Sequence, residues 1–123
     1  MDYRLDHSYQ NYIKIAVKGN LEKDILLKAM SQLFTHPDYC RKNSLWDLRQ
    51  ASQGSINILV LTEIVGFLRL YRPKTEFFAN KVAILVSTDM NKALVNVYIT
   101  LSRLLPFKFK VFTDQSDVEL FLT

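Results

Sequence analysis

Asn43–Ser55, NSLWDLRQASQGS, is the stretch on which the fold turns. Ser44-Leu45-Trp46-Asp47-Leu48 has the composition of a short apolar strand, and a polar turn carrying Gly54 follows it. A strongly apolar helix begins beyond the turn, near Ser55 or Asn57. Strand, turn and helix make a β-α unit, and the loop leaving the C-terminal end of the strand is where such units place binding chemistry. Asp47, Arg49, Ser52 and Ser55 converge on that loop.

Working outward toward the N-terminus, residues 3–7 and 11–17 alternate apolar and polar side chains. The short link Ser8-Tyr9-Gln10 makes them an antiparallel hairpin, ended by Lys18-Gly19-Asn20. The period then changes. Leu21, Ile25, Ala29 and Leu33 recur four apart with Leu26, Met30 and Phe34 beside them, and Glu22, Lys23, Lys28 and Gln32 fall off the stripe. This is an amphipathic helix, with Asn20 as its expected N-cap and Pro37 stopping it after His36.

Toward the C-terminus, the helix from about Asn57 to Tyr71 is apolar over more than one face, with Glu63 and Arg69 its only charges before Arg72-Pro73. Such a helix must bury more than one side. Neighbouring helices, a second copy of the chain or a small apolar ligand would each serve, and Leu61, Val65 and Leu68 are the candidate contacts. Lys81–Ser87, KVAILVS, reads as a strand covered on both faces. Ser87-Thr88-Asp89 offers caps for a helix over Met90–Leu105, ended by Pro106. Phe107–Thr113 alternates again and suits an edge strand whose lysines discourage unwanted pairing, before a last helix over Ser116–Leu122 capped by Asp114 or Ser116. The order β-β-α-β-α-β-α-β-α specifies one α/β domain. Its sheet is mixed, of about five strands: the N-terminal hairpin, then parallel β-α units, with about four helices.

Composition narrows the function classes. In 123 residues, 49% hydrophobic and 23% charged side chains describe a soluble globular domain. The net charge of +4 is spread evenly, with 8 Lys/Arg against 6 Asp/Glu in residues 1–60 and again in 61–123. A nucleic-acid binder concentrates its basic residues, so none is expected as a partner. Cys40 is the only cysteine, which excludes an intramolecular disulfide and suits a reducing compartment. MDYRLDHS has no basic n-region or apolar h-region, and charges interrupt the apolar runs too often for stable membrane insertion. A cytoplasmic protein is the expectation.

No catalytic motif emerges. Gly19, Gly54 and Gly66 are the only glycines, so neither GxGxxG nor a Walker loop exists and no cofactor is expected. His36 and Cys40 are close in sequence, yet a helix end followed by Pro37 gives no reason for a nucleophile–base geometry. Adding His7 gives three dispersed ligand types without CxxC, HxxxH or HExxH spacing, so no metal site is expected either. Ser52 and Ser55 stand near a helix N-terminus, where the dipole welcomes an anion or a phosphoryl group, although ordinary capping is the favoured explanation of serines there. Asp47 and Arg49, two apart on a strand, share a face and can meet a ligand or each other.

The element order, with Leu45-Trp46-Asp47-Leu48-Arg49 at its centre, resembles the SpoIIAA-like branch of the STAS superfamily. The likeness includes the hairpin ending Lys18-Gly19, the strand Lys81–Ser87 followed by Thr88-Asp89, and Phe109-Lys110-Val111-Phe112-Thr113-Asp114 before the terminal helix. It implies a sheet with helices mainly on one side and a non-enzymatic role in regulation or interaction with a protein partner. In anti-sigma-factor antagonists of the superfamily a serine in an Asp-Ser-Ser-Gly pattern is phosphorylated. Here the region reads Ala51-Ser52-Gln53-Gly54-Ser55-Ile56, without that pattern. A looser likeness to lipid-binding CRAL-TRIO domains keeps an apolar-ligand carrier as the alternative.

Overall fold

The computed structural model describes residues 1–39, 41–52, 54, 56–68, 81–87 and 108–123. The hairpin demanded by the N-terminal alternation is β1 (Asp2–Asp6) against β2 (Tyr12–Asn20), antiparallel with Leu5 opposite Ile15. Helix α1 (Lys23–Phe34) leads to β3 (Asn43–Ser52), α2 (Ile58–Leu68) and β4 (Lys81–Leu85), and the chain closes with β5 (Lys108–Phe112) and α3 (Gln115–Leu122). The strands form one five-stranded sheet in the order β1-β2-β3-β4-β5, parallel from β2 onward. The expected mixed sheet is present, with three helices among the described residues. The helix expected over Met90–Leu105 lies outside them.

Period-two alternation sorts each strand onto two faces. Ile13, Ile15 and Val17 of β2, Trp46 of β3 and Val82 and Ile84 of β4 join Leu26, Ala29, Met30 and Leu33 of α1 and Leu61, Ile64 and Val65 of α2 in the larger core. The intervening residues Tyr12, Leu45, Ala83, Leu85 and Phe112 meet Val118 and Leu122 of α3 in a second, smaller core. Of the described helices, two therefore cover one face and the terminal helix part of the other. Burying a Leu or Ile contributes about 1.5–3 kcal/mol, so both cores hold the sheet.

Several local readings change. The polar tail Arg49–Ser52 continues β3 because it pairs with Lys18, Gly19 and Asn20 of β2, and ladder hydrogen bonds outweigh weak strand propensity. Asn20 for the same reason ends β2 and does not cap α1. The residue at that N-cap is Glu22, which makes no side-chain cap bond. Asn57 is the residue whose Oδ1 accepts from the Val60 N–H, at 3.0 Å, at the start of α2. At α3 the expected cap is present, with Asp114 Oδ1 accepting from the Ser116 N–H at 2.9 Å. Helix α2 buries Leu61, Ile64 and Val65, yet Leu59 on its other side is 75% exposed, so the described helix does not bury its whole circumference.

Gly54 holds the turn after β3. Its φ of +57° is left-handed, and a Cβ there would stand 2.5 Å from the Leu21 carbonyl oxygen. Only glycine lets this turn lie against the β2–α1 connection, where the Leu21 N–H donates to the Ser52 carbonyl at 2.9 Å.

Candidate functional site: a charged groove over the open half of the sheet

Helix α3 leaves the β1–β2–β3 side of its face uncovered. There the alternate positions that are apolar beneath the helix become charged: Tyr12 gives way to Lys14 and Lys18 along β2, and Leu45 to Asp47 along β3. These side chains, with Asp2 and Arg4 of β1, line an open groove of about 450 Å³. A bulge shapes it. Ala16 is opposite Asp47 but Lys18 is opposite Gln50, so Val17 faces two residues of β3. The extra residue shifts the phase of the strand, bringing Gln50 onto the groove beside Asp47 and Arg49 while Ala51 packs on the larger core.

At the groove floor Asp47 is 9% exposed. Arg49 grips it bidentately, Nε to Oδ1 at 2.9 Å and Nη2 to Oδ2 at 2.7 Å, and the Arg49 N–H donates to Oδ1 at 3.2 Å. Lys14 Nζ stands 3.7 Å from Oδ2. Burial alone would raise the Asp47 pKa. The side-chain and backbone hydrogen bonds from Arg49, with the charges of Arg49 and Lys14, outweigh it and hold the carboxyl below its usual range. Asp47 is thus an anchor that is ionised near neutral pH, and a poor general acid or base there. Arg4 and Lys18, both exposed, make no ion pair within 4 Å among the described residues, so the rim carries cations without a close described counter-charge.

The structure sorts the candidate residues of the sequence. Asp47 and Arg49 are brought together, and to Lys14, Lys18 and Arg4, which sequence reasoning did not single out. Their strand phases carried a signal, since lysines alternating with Ile13, Ile15 and Val17 mark the stretch of that face that α3 does not reach. Ser52 is an exposed strand end whose hydroxyl donates to Asn20 Oδ1. Ser55 lies outside the described residues, as does Cys40. Leu61 and Val65 are buried in the larger core, 6% exposed each, and the side chain of Leu68 lies outside the description. His7 and His36, expected to be dispersed, have their ring centroids 4.9 Å apart. No described helix is long and apolar enough to cross a membrane.

Comparison with known proteins supports the fold. No family model matches the chain, and no curated protein matches it. Among solved structures it is similar to an uncharacterized protein of the DUF3478 family with a SpoIIAA-like fold, from Shewanella loihica PV-4, with a TM-score of 0.60 at 14% identity over 99% of this chain and 93% of that one. At that identity the likeness shows the fold alone. The SpoIIAA-like fold expected from the Leu-Trp-Asp-Leu-Arg strand and its neighbours is the fold of this chain.

Proposed function

We propose that this chain is a non-catalytic, cytoplasmic interaction domain that receives an acidic segment of a partner protein in the groove over β1–β3. The observation that carries this reading is the charge imbalance of the groove. Four cations, Arg4, Lys14, Lys18 and Arg49, face two carboxylates, Asp2 and Asp47, and Asp47 is already spent on Arg49 and Lys14. Among the described residues, the groove lining contains no serine, cysteine or histidine to act as nucleophile or base. Complementary charge of this kind speeds encounter and selects partners more than it adds affinity, which fits a regulatory contact.

Fluorescence anisotropy with a labelled oligoglutamate peptide tests the proposal. Binding that weakens steeply with salt and is lost in the Arg4→Glu/Lys18→Glu double variant is the expected result. Equal binding by that variant would refute the groove as the site. A homodimer is the second reading, resting on Leu59, exposed on an otherwise apolar helix. Sedimentation equilibrium of wild type and Leu59→Glu decides it: a dimer dissociated by the substitution supports self-association, and a monomeric wild type rejects it. The apolar-ligand alternative places the ligand between α2 and the helix expected over Met90–Leu105, which lies outside the described residues; Leu61 and Val65 themselves are buried in the larger core.

A further inference from the structure

Folding gathers a second cluster of polar side chains, outside the groove. The turn after β1 presents His7, held where Asp6 Oδ1 accepts from the Ser8 N–H at 3.0 Å and from the Ser8 hydroxyl at 2.6 Å. Just past the C-terminal end of α1 stand His36 and Asp38. The two imidazoles lie 4.9 Å apart at 42°, and one donor atom from each of His7, His36 and Asp38 lies within 4.8 Å of the other two. Lys42 ties the two segments together, donating from Nζ to the carbonyls of His7 at 2.8 Å and Tyr9 at 2.7 Å.

We propose that His7, His36 and Asp38 bind a single late first-row divalent cation of the Zn²⁺ or Ni²⁺ type. The donor set argues for that class. Two imidazoles with one carboxylate suit borderline cations and leave coordination positions for water, whereas Mg²⁺ and Ca²⁺ want oxygen donors. The distances argue for a site that the ion draws closed. Bonds of about 2.0–2.2 Å place tetrahedral donors about 3.4 Å apart, so the present set, within 4.8 Å, contracts by at most about 1.4 Å. His7 is exposed and His36 and Asp38 are half-buried, so side-chain rotation can close the set around an ion on a backbone that Lys42 holds. Two contacts oppose the ion and limit its affinity. His36 Nδ1 accepts from the Asp38 N–H at 3.1 Å, a bond given up if that nitrogen ligates, and the Lys42 ammonium stands 3.8 Å from an Asp38 carboxylate oxygen. The bound ion joins the tip of the hairpin to the end of α1, so it stabilises the folded state as its concentration exceeds Kd.

Zn²⁺ titration by calorimetry and thermal melting tests this, performed on the Cys40→Ser protein so that a thiol contributes nothing. The expected result is one Zn²⁺ per chain, a Tm that rises with Zn²⁺ but not with Mg²⁺, and affinity lowered more than about tenfold by His7→Ala or by His36→Ala, a loss at least as large as removing outer-shell partners causes. Melting each variant in EDTA keeps folding separate from binding, and the wild-type chain carrying the same histidine substitutions repeats the comparison if Cys40→Ser lowers the metal-free Tm. Zn²⁺ affinity unchanged by both histidine substitutions, an equal response to Mg²⁺, or no Tm response at millimolar Zn²⁺ would each overturn the proposal.

Discussion

The face of the sheet that carries Tyr12, Lys14 and Lys18 is divided between two regions built from the same strands. Toward β4 and β5, Leu45, Ala83, Leu85 and Phe112 lie beneath α3, and Tyr12 closes the boundary by donating its hydroxyl to Glu119 Oε1 at 2.8 Å. Toward β1, the positions in the same alternation hold Lys14, Lys18, Asp47 and Arg49 around an open groove. One residue pair along β3, Leu45 to Asp47, separates a dry interface from a wet one. The difference teaches that strand phase alone decides which face a side chain meets, while the reach of one eight-residue helix decides whether that face is core or site.

The sharpest way to break this comparison is to empty the covered half. Leu45→Ala removes a fully buried side chain beneath α3 and is expected to cost about 2–5 kcal/mol in urea unfolding, with partial loss of the helical signal from α3. Gly54→Ala acts at the turn that ends β3. The left-handed backbone and the clash with Leu21 cost about 2–3 kcal/mol, read as a lower midpoint with an unchanged m-value.

In the open half, Asp47→Asn leaves Arg49 and Lys14 without their counter-charge and is expected to cost about 1–2 kcal/mol at pH 7. Its pH dependence distinguishes an ionised anchor from a merely packed one. The folded carboxyl titrates below its unfolded value, so its stabilisation is complete above about pH 4 and fades as pH falls through the depressed folded value. The stability gap between wild type and Asp47→Asn should therefore shrink only in acid below that point. A gap that stayed constant down to pH 2.5 would contradict the electrostatic account.

At the boundary, Tyr12→Phe deletes one hydrogen bond to Glu119 and should cost about 0.5–1.5 kcal/mol, measured by the same unfolding. Burial and that bond push the Tyr12 phenol well above its ordinary range, so an ultraviolet titration should show it ionising at higher pH than a free tyrosine. Lys18→Glu completes the series with the smallest effect on folding, within about 0.5 kcal/mol, because an exposed lysine without a close described counter-charge stabilises little. Its consequence should appear in oligoglutamate binding instead, which is what separates a groove built for recognition from one built for stability.

Much of this architecture is legible in the amino-acid order. Alternation in residues 3–7 and 11–17 specifies the hairpin, the four-residue recurrence from Leu21 specifies α1, and the unbroken apolar run from Lys81 specifies a strand buried on both faces, because each period matches the geometry of only one element. Asp114 as the cap of the last helix is equally local, a side chain accepting from a backbone donor two residues on. Asp47 and Arg49 sharing a face follows from their spacing.

Tertiary structure decided the rest, because it depends on partners far apart along the chain. Pairing with Lys18–Asn20 extends β3 through the polar residues up to Ser52, and makes Ser52 a strand end. The bulge opposite Val17, the side of the sheet that α3 covers, and the meeting of Arg4 with Lys14 and Arg49 are all set by register between strands. The same holds for His7 and His36, whose rings approach only because the hairpin tip folds back on the end of α1. A local sequence signal fixes dihedral angles and faces. Which charges face one another, and which face stays open to solvent, is settled only when distant elements compete for the same buried surface.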